Sequence, residues 1–110
     1  MTTTFANTSA PPYYAVIFTS VKRDDHGYDE TSRRMYELAS KRPGFLGVES
    51  ARGDDGLGIT VSYWISLEAI AGWKQDIEHL EAQRLGRDKW YSGYVTRIAK
   101  IERAYDFIAK

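Results

Sequence analysis

GITVSYWISLEAIAGWKQDIEHLEAQRLGRDKWYSGY, residues 58–94, decides how the rest of the chain reads. Its first residues, with Leu57 before them, split into two faces. Leu57, Ile59, Val61, Tyr63 and Ile65 fall on one side and Gly58, Thr60, Ser62 and Trp64 on the other, the period-two pattern of a strand. The second face is small and polar until it ends in Trp64. That profile fits the floor of a cavity with an aromatic at its rim, and equally a sheet face packed closely against another backbone. Ser66 then stands where a helix cap is needed, with Glu68 in the first turn to complement the helix dipole. Leu67, Ile70, Trp73, Ile77, Leu80 and Arg84 follow at spacings of three and four, an amphipathic helix with Trp73 in its apolar stripe. His79 falls outside that stripe and aligns with Ala82, Gln83, Gly86 and Trp90.

Upstream, Gly53-Asp54-Asp55-Gly56 is a hairpin turn made of residues that tolerate positive φ. It joins residues 57–65 to a preceding strand over 45–52, FLGVESAR. Before that strand Pro43-Gly44 stops a helix over 28–42, whose Asp29, Glu30, Lys41 and Arg42 match the dipole at both ends. A charged turn, KRDDHG at 22–27, separates this helix from YYAVIFTSV at 13–21. That run is apolar on both faces, unlike a strand with one wet side. Residues 1–12, MTTTFANTSAPP, are small and polar and read as a mobile, disordered tail. Downstream, residues 94–105 alternate as a last strand. The order strand, helix, strand, strand, helix, strand is the βαββαβ arrangement of a ferredoxin-like α+β sandwich with an antiparallel sheet.

At 110 residues the chain is one small domain, with 43% apolar and 14% aromatic residues to build its core. Fifteen basic residues balance fifteen acidic ones, so no broad positive field is present to attract nucleic acid or an anionic membrane. There are no cysteines and two histidines, which removes disulfides, thiolate metal sites, a cysteine nucleophile and a histidine-rich metal cluster. No phosphate loop or metal-ligand spacing occurs. No apolar run approaches the roughly 20 residues of a spanning helix and no leader pattern precedes the domain, so a cytoplasmic location is expected.

PGFLGVESAR, ITVSYWISLEAIAGW, EHLEAQRLGRDKWY and IERAYDF resemble stretches of the antibiotic biosynthesis monooxygenase (ABM) superfamily, over residues 13–107. The resemblance implies a dimeric α+β barrel: a homodimer in which two sheets face each other with helices outside, and a pocket lies between each sheet and its helices. Members of the superfamily include cofactor-free oxygenases that convert anthrones or quinols into quinones, haem-degrading enzymes, and proteins with no demonstrated reaction. The haem-degrading branch carries an asparagine on the first strand and a histidine about three helical turns beyond the helix tryptophan. Here Asn7 lies before the first strand, and Gln83 stands ten residues after Trp73.

The resemblance therefore favours a cofactor-independent monooxygenase acting on a small aromatic molecule. A non-catalytic ligand-binding or stress-related barrel is the alternative, and haem binding a third. A cofactor-free oxygenase needs an apolar slot, a base and a donor for the developing anion. Trp64, Trp73, Trp90 and Tyr94 supply candidate walls. His79, whose free imidazole titrates near 6.5, is the candidate base, and Arg84 or Arg97 the anion partner. Two readings stand for Trp73, a core ring and a pocket wall. Two stand for His79, a pocket base and a histidine of the helix surface or dimer contact.

Overall fold

The computed structural model describes residues 5–22, 33, 36–84 and 91–109; for 22, 77–84, 91 and 92 it describes the backbone alone. Strands β1 (Tyr13–Lys22), β2 (Phe45–Arg52), β3 (Leu57–Trp64) and β4 (Tyr91–Ile101) form one sheet in the order β2-β3-β1-β4, with every neighbouring pair antiparallel. Residues 36–40 are helical and are labelled α1; helix α2 covers Leu67–Arg84. This is the α+β sandwich that the sequence predicts. The charged turn with His26 and the first residues of the predicted 28–42 helix lie outside the described residues.

Local chemistry accounts for most boundaries. The Gly53 N–H donates to the Leu57 carbonyl at 2.9 Å and Asp55 Oδ1 accepts from the Leu57 N–H at 3.0 Å, which closes the β2–β3 hairpin. Ser66 Oγ accepts from the Ala69 N–H at 3.1 Å, so α2 has the predicted cap. The last strand differs from its prediction at both ends. It begins at Tyr91, because Lys22 and Val21 offer pairing there, and it stops at Ile101, opposite Tyr13, where β1 itself begins. Pro11 and Pro12 precede Tyr13 and carry no N–H to continue the ladder.

Three rings, Trp64, Trp73 and Phe45, form the core, and the half-exposed Tyr36 borders it. Trp64 is fully buried and stacks on Trp73 at a centroid distance of 6.1 Å; Phe45 meets it edge-on at 5.4 Å, and Tyr36 meets Phe45 at 6.2 Å. Ala39, Ile70, Tyr14, Val16, Leu38 and Ala69 pack around them. The Trp64 indole N–H donates to Ser62 Oγ at 2.9 Å, which supplies the partner a buried indole needs. Arg42 Nε and Asp76 Oδ2, at 3.5 Å, link the end of α1 to α2 across partly exposed surface, a pair worth about 0–1 kcal/mol.

The other face of the sheet has no helix over it among the described residues. Leu57, Ile59 and Val95 are nearly half exposed there. The N-terminal segment reaches one end of this face. Its Ala6 N–H donates to Glu49 Oε2 at 2.9 Å, and Tyr63 O–H donates to Glu49 Oε1 at 2.8 Å. A Cβ on Gly47 would stand 2.8 Å from that of Ala6, so the segment lies close only because position 47 has no side chain. Residues 5–12 form no regular element, yet this contact holds Ala6 to the sheet.

Burial, then the hydrogen bond to Glu49 and its negative charge, push the Tyr63 phenol from 10.0 up to about 12. Because the folded value is the higher one, the stabilising contribution is whole below pH 10 and is lost as the pH rises through 12. Tyr63→Phe is expected to cost about 1 kcal/mol near neutrality. Urea unfolding across the alkaline range should show the gap between wild type and variant closing as the phenol ionises. A gap constant with pH would mean that folding does not raise the Tyr63 phenol, and no gap near neutrality would mean that the Glu49 bond contributes nothing.

Candidate functional site on the helix-covered face

Strand register places residues on the two faces without ambiguity. On the helix-covered side one row reads Phe45, Trp64, Tyr14 and Lys100, and the row at the hairpin end reads Arg52, Gly58, Ser20 and Tyr94. Between them lie Val48, Ser62, Val16 and Ile98, then Ser50, Thr60, Phe18 and Thr96. The chain leaves the sheet at Trp64, opposite Tyr14, and re-enters it at Tyr91, opposite Lys22. Helix α2 and the residues after it therefore return the chain from the tryptophan end of the sheet to the hairpin end. At about 1.5 Å per residue, His79 lies about 18 Å beyond Leu67 along the helix.

The two halves differ in chemistry. The tryptophan half is close-packed: Trp64 is enclosed and Trp73 is 7% exposed. The hairpin half is built on the ring pair Phe18 and Tyr94, centroids 5.2 Å apart and tilted at 36°, bordered by Thr60, Thr96 and Ser20. Tyr94 and Trp73 thus occupy the same side of the sheet. Arg97 does not. It pairs with Ile17 and so belongs to the helix-free face, away from the rings it was expected to serve. His79 and Arg84 lie on α2, with side chains outside the described residues, and Trp90 lies outside them altogether.

Gly58 was read either as a cavity floor or as a close backbone contact, and the structure gives it a different neighbour. The Arg52 side chain crosses from the edge strand and lies over it, so that a Cβ on Gly58 would stand 2.5 Å from Arg52 Cζ. Arg52 donates to the Gly56 carbonyl and, at 2.9 Å, to Ser20 Oγ. Ser20 is 2% exposed and Arg52 is half-buried. The sequence reading passed over Arg52. Its signal was the hairpin itself, since a four-residue turn at 53–56 sets position 52 beside position 58.

A cavity of about 870 Å³ opens on the opposite, helix-free face. Phe5, Tyr13, Glu49, Tyr63 and Phe107 line it, between the N-terminal segment and the residues after β4. Among the described residues no helix is long and apolar enough to cross a membrane.

No family model matches the sequence. YqjZ of Bacillus subtilis strain 168, an uncharacterized protein, is 56% identical over 99 residues, which span 89% of this chain and 87% of the relative. Solved structures share the fold at low identity. SnoaB from Streptomyces nogalater, a cofactor-independent oxygenase, superposes with a TM-score of 0.65 at 11% identity, covering 91% of this chain and all of that one. A Nitrosomonas europaea protein named as an antibiotic biosynthesis monooxygenase superposes with a TM-score of 0.65 at 17% identity, covering 84% and 91%.

Proposed function

We propose a small-molecule oxygenase from the premise that this chain belongs to the family of Bacillus subtilis YqjZ and has the fold of the antibiotic biosynthesis monooxygenases. The activity proposed is cofactor-independent monooxygenation of a quinol- or anthrone-like aromatic, in the cytoplasm, by a homodimer. The observation that carries it is the Phe18–Tyr94 ring pair, bordered by hydroxyls, on the sheet face along which α2 runs. Such a floor takes a flat aromatic and offers few polar groups to it, as ligand sites generally do.

In this reading Trp73, Tyr94 and Trp90 are the walls, and the buried Trp64 backs Trp73. His79 is the base and Arg84 an anion partner. With anthrone, His79 removes a proton from the methylene carbon. The resulting anion gives one electron to oxygen, the radical pair joins as a carbon-bound peroxide anion, and the proton held by His79 returns to it to give the hydroperoxide. Loss of the second methylene proton with cleavage of the O–O bond leaves a carbonyl and water. One oxygen atom enters the product and the other leaves as water, so the substrate supplies every electron.

Anthrone in an oxygen electrode at pH 7 tests this, with heat-denatured protein as the control. One oxygen consumed per anthraquinone formed, faster than the control, is expected. Ligand binding without turnover would sink the oxygenase reading and leave a binding protein.

The dimer rests on the helix-free face, whose half-exposed Leu57, Ile59 and Val95 form an apolar surface of the kind that partners cover. A second copy seated there would also close the cavity between the two terminal segments. Sedimentation at micromolar concentration is expected to give a dimer, and a stable monomer would remove this part of the reading.

A further inference from the structure

We propose that the cavity on the helix-free face is a binding site for a small primary amine in its protonated form, with the Glu49 carboxylate as the group that receives it. The site lies across the sheet from the one proposed for the oxygenase and is independent of that reading. Three observations lead to it. The cavity, of about 870 Å³, has the size of a small-molecule site and is lined by two carboxylates, Glu49 and Asp106, while among the described residues no lysine, arginine or histidine lines it. Glu49 accepts from the Ala6 N–H on Oε2 and from the Tyr63 phenol on Oε1. Both donors are neutral and leave its charge uncancelled, and a carboxylate has about four acceptor sites, so room remains for an ammonium N–H. Finally, Phe5 and Phe107 line the same cavity and are 71% and 84% exposed, so their ring faces are open to a ligand.

The chemistry selects an amine. An ammonium group donates charge-assisted hydrogen bonds to a carboxylate and, within about 6 Å of a ring, is attracted by its face. An anion would meet two negative charges and no positive one. Glu49 is half-buried, where a charge pair is screened less than in open water. The wall beside it is fixed before a ligand arrives: Tyr13 is 5% exposed and meets Tyr63 edge to face, with centroids 5.8 Å apart. The Tyr63 phenol, pushed up to about 12, keeps its proton across the working range and holds the carboxylate in place. An aromatic body on the amine would lie against Phe5 and Phe107.

The test is isothermal titration calorimetry with phenethylamine, with 2-phenylethanol, which has nearly the same shape and no charge, and with 3-phenylpropionate, an anion. Wild type is expected to prefer the amine over the alcohol by about tenfold or more, the range of a charge-assisted hydrogen bond, and to bind the anion least. Glu49→Gln removes the charge and keeps an acceptor, so the preference for the amine should fall below about twofold. Phe107→Ala changes a ring that packs on little else and should weaken phenethylamine by about threefold or more. It decides the matter if thermal scans show that Glu49→Gln is unfolded. Equal binding of amine and alcohol by wild type, an amine preference kept by folded Glu49→Gln, or an affinity untouched by Phe107→Ala would each overturn the proposal. So would a wild type that binds none of the probes because a second copy fills the cavity. Oxygen uptake with anthrone is a separate measurement, and the oxygenase reading stands or falls on it alone.

Discussion

Trp64→Ala is expected to lower stability by about 3–5 kcal/mol, the cost of deleting a fully buried large aromatic. A domain of this size holds about 5–15 kcal/mol in all, so the variant should lose a large share of its folded margin. The cause is specific. Trp64 has no exposed surface, stacks on Trp73, takes the edge of Phe45 and satisfies its N–H through Ser62. Truncation empties the centre of a ring cluster that joins both helices to the sheet, and it takes from Trp73 its stacking partner and from Phe45 the ring it meets edge-on. Urea titration reads the change as a shift in midpoint. An unchanged midpoint would show that the stack is not the core of the fold.

His79→Ala is expected to slow oxygen-dependent turnover by about a hundredfold to ten-thousandfold, the usual worth of a positioned general base. Ligand affinity should stay nearly constant, because a ring on the Phe18–Tyr94 floor owes little of its binding to an imidazole at its edge. The wild-type rate should fall as the pH drops and the imidazole takes up a proton, since only the neutral form accepts one from the substrate. The same profile in His79→Ala would assign that titration to another group. Equal rates in the two proteins would place His79 on the helix surface or in the dimer contact, the other reading its sequence position allows.

The fold was legible because its signals are local. FLGVESAR carries both bounds of β2, the Gly-Asp-Asp-Gly turn fixes the hairpin, and Ser66 marks where α2 starts. The site was legible only where it depends on one element. Alternation along β4 divides Arg97 from Tyr94 and Ile98, but which set faces the helices is decided by pairing with β1, a contact distant in sequence. Arg97 therefore lies on the other face from Tyr94, and the place of Arg52 was not legible because it depends on a glycine on the neighbouring strand. The contact of Ala6 with the sheet was illegible for the same reason. Nothing in MTTTFANTSAPP announces that Glu49 and a side-chain-free Gly47 wait for Ala6.

The stacked indoles of Trp64 and Trp73 also have an optical consequence. Two aromatic chromophores 6.1 Å apart and inclined at 25° couple their excited states. The pair should therefore give an exciton signal in circular dichroism that a single tryptophan cannot produce. That signal depends on the distance and angle between the rings and disappears once tight packing is lost, even where secondary structure survives. The protein thus contains its own label-free reporter of core order, placed where α2 meets the sheet.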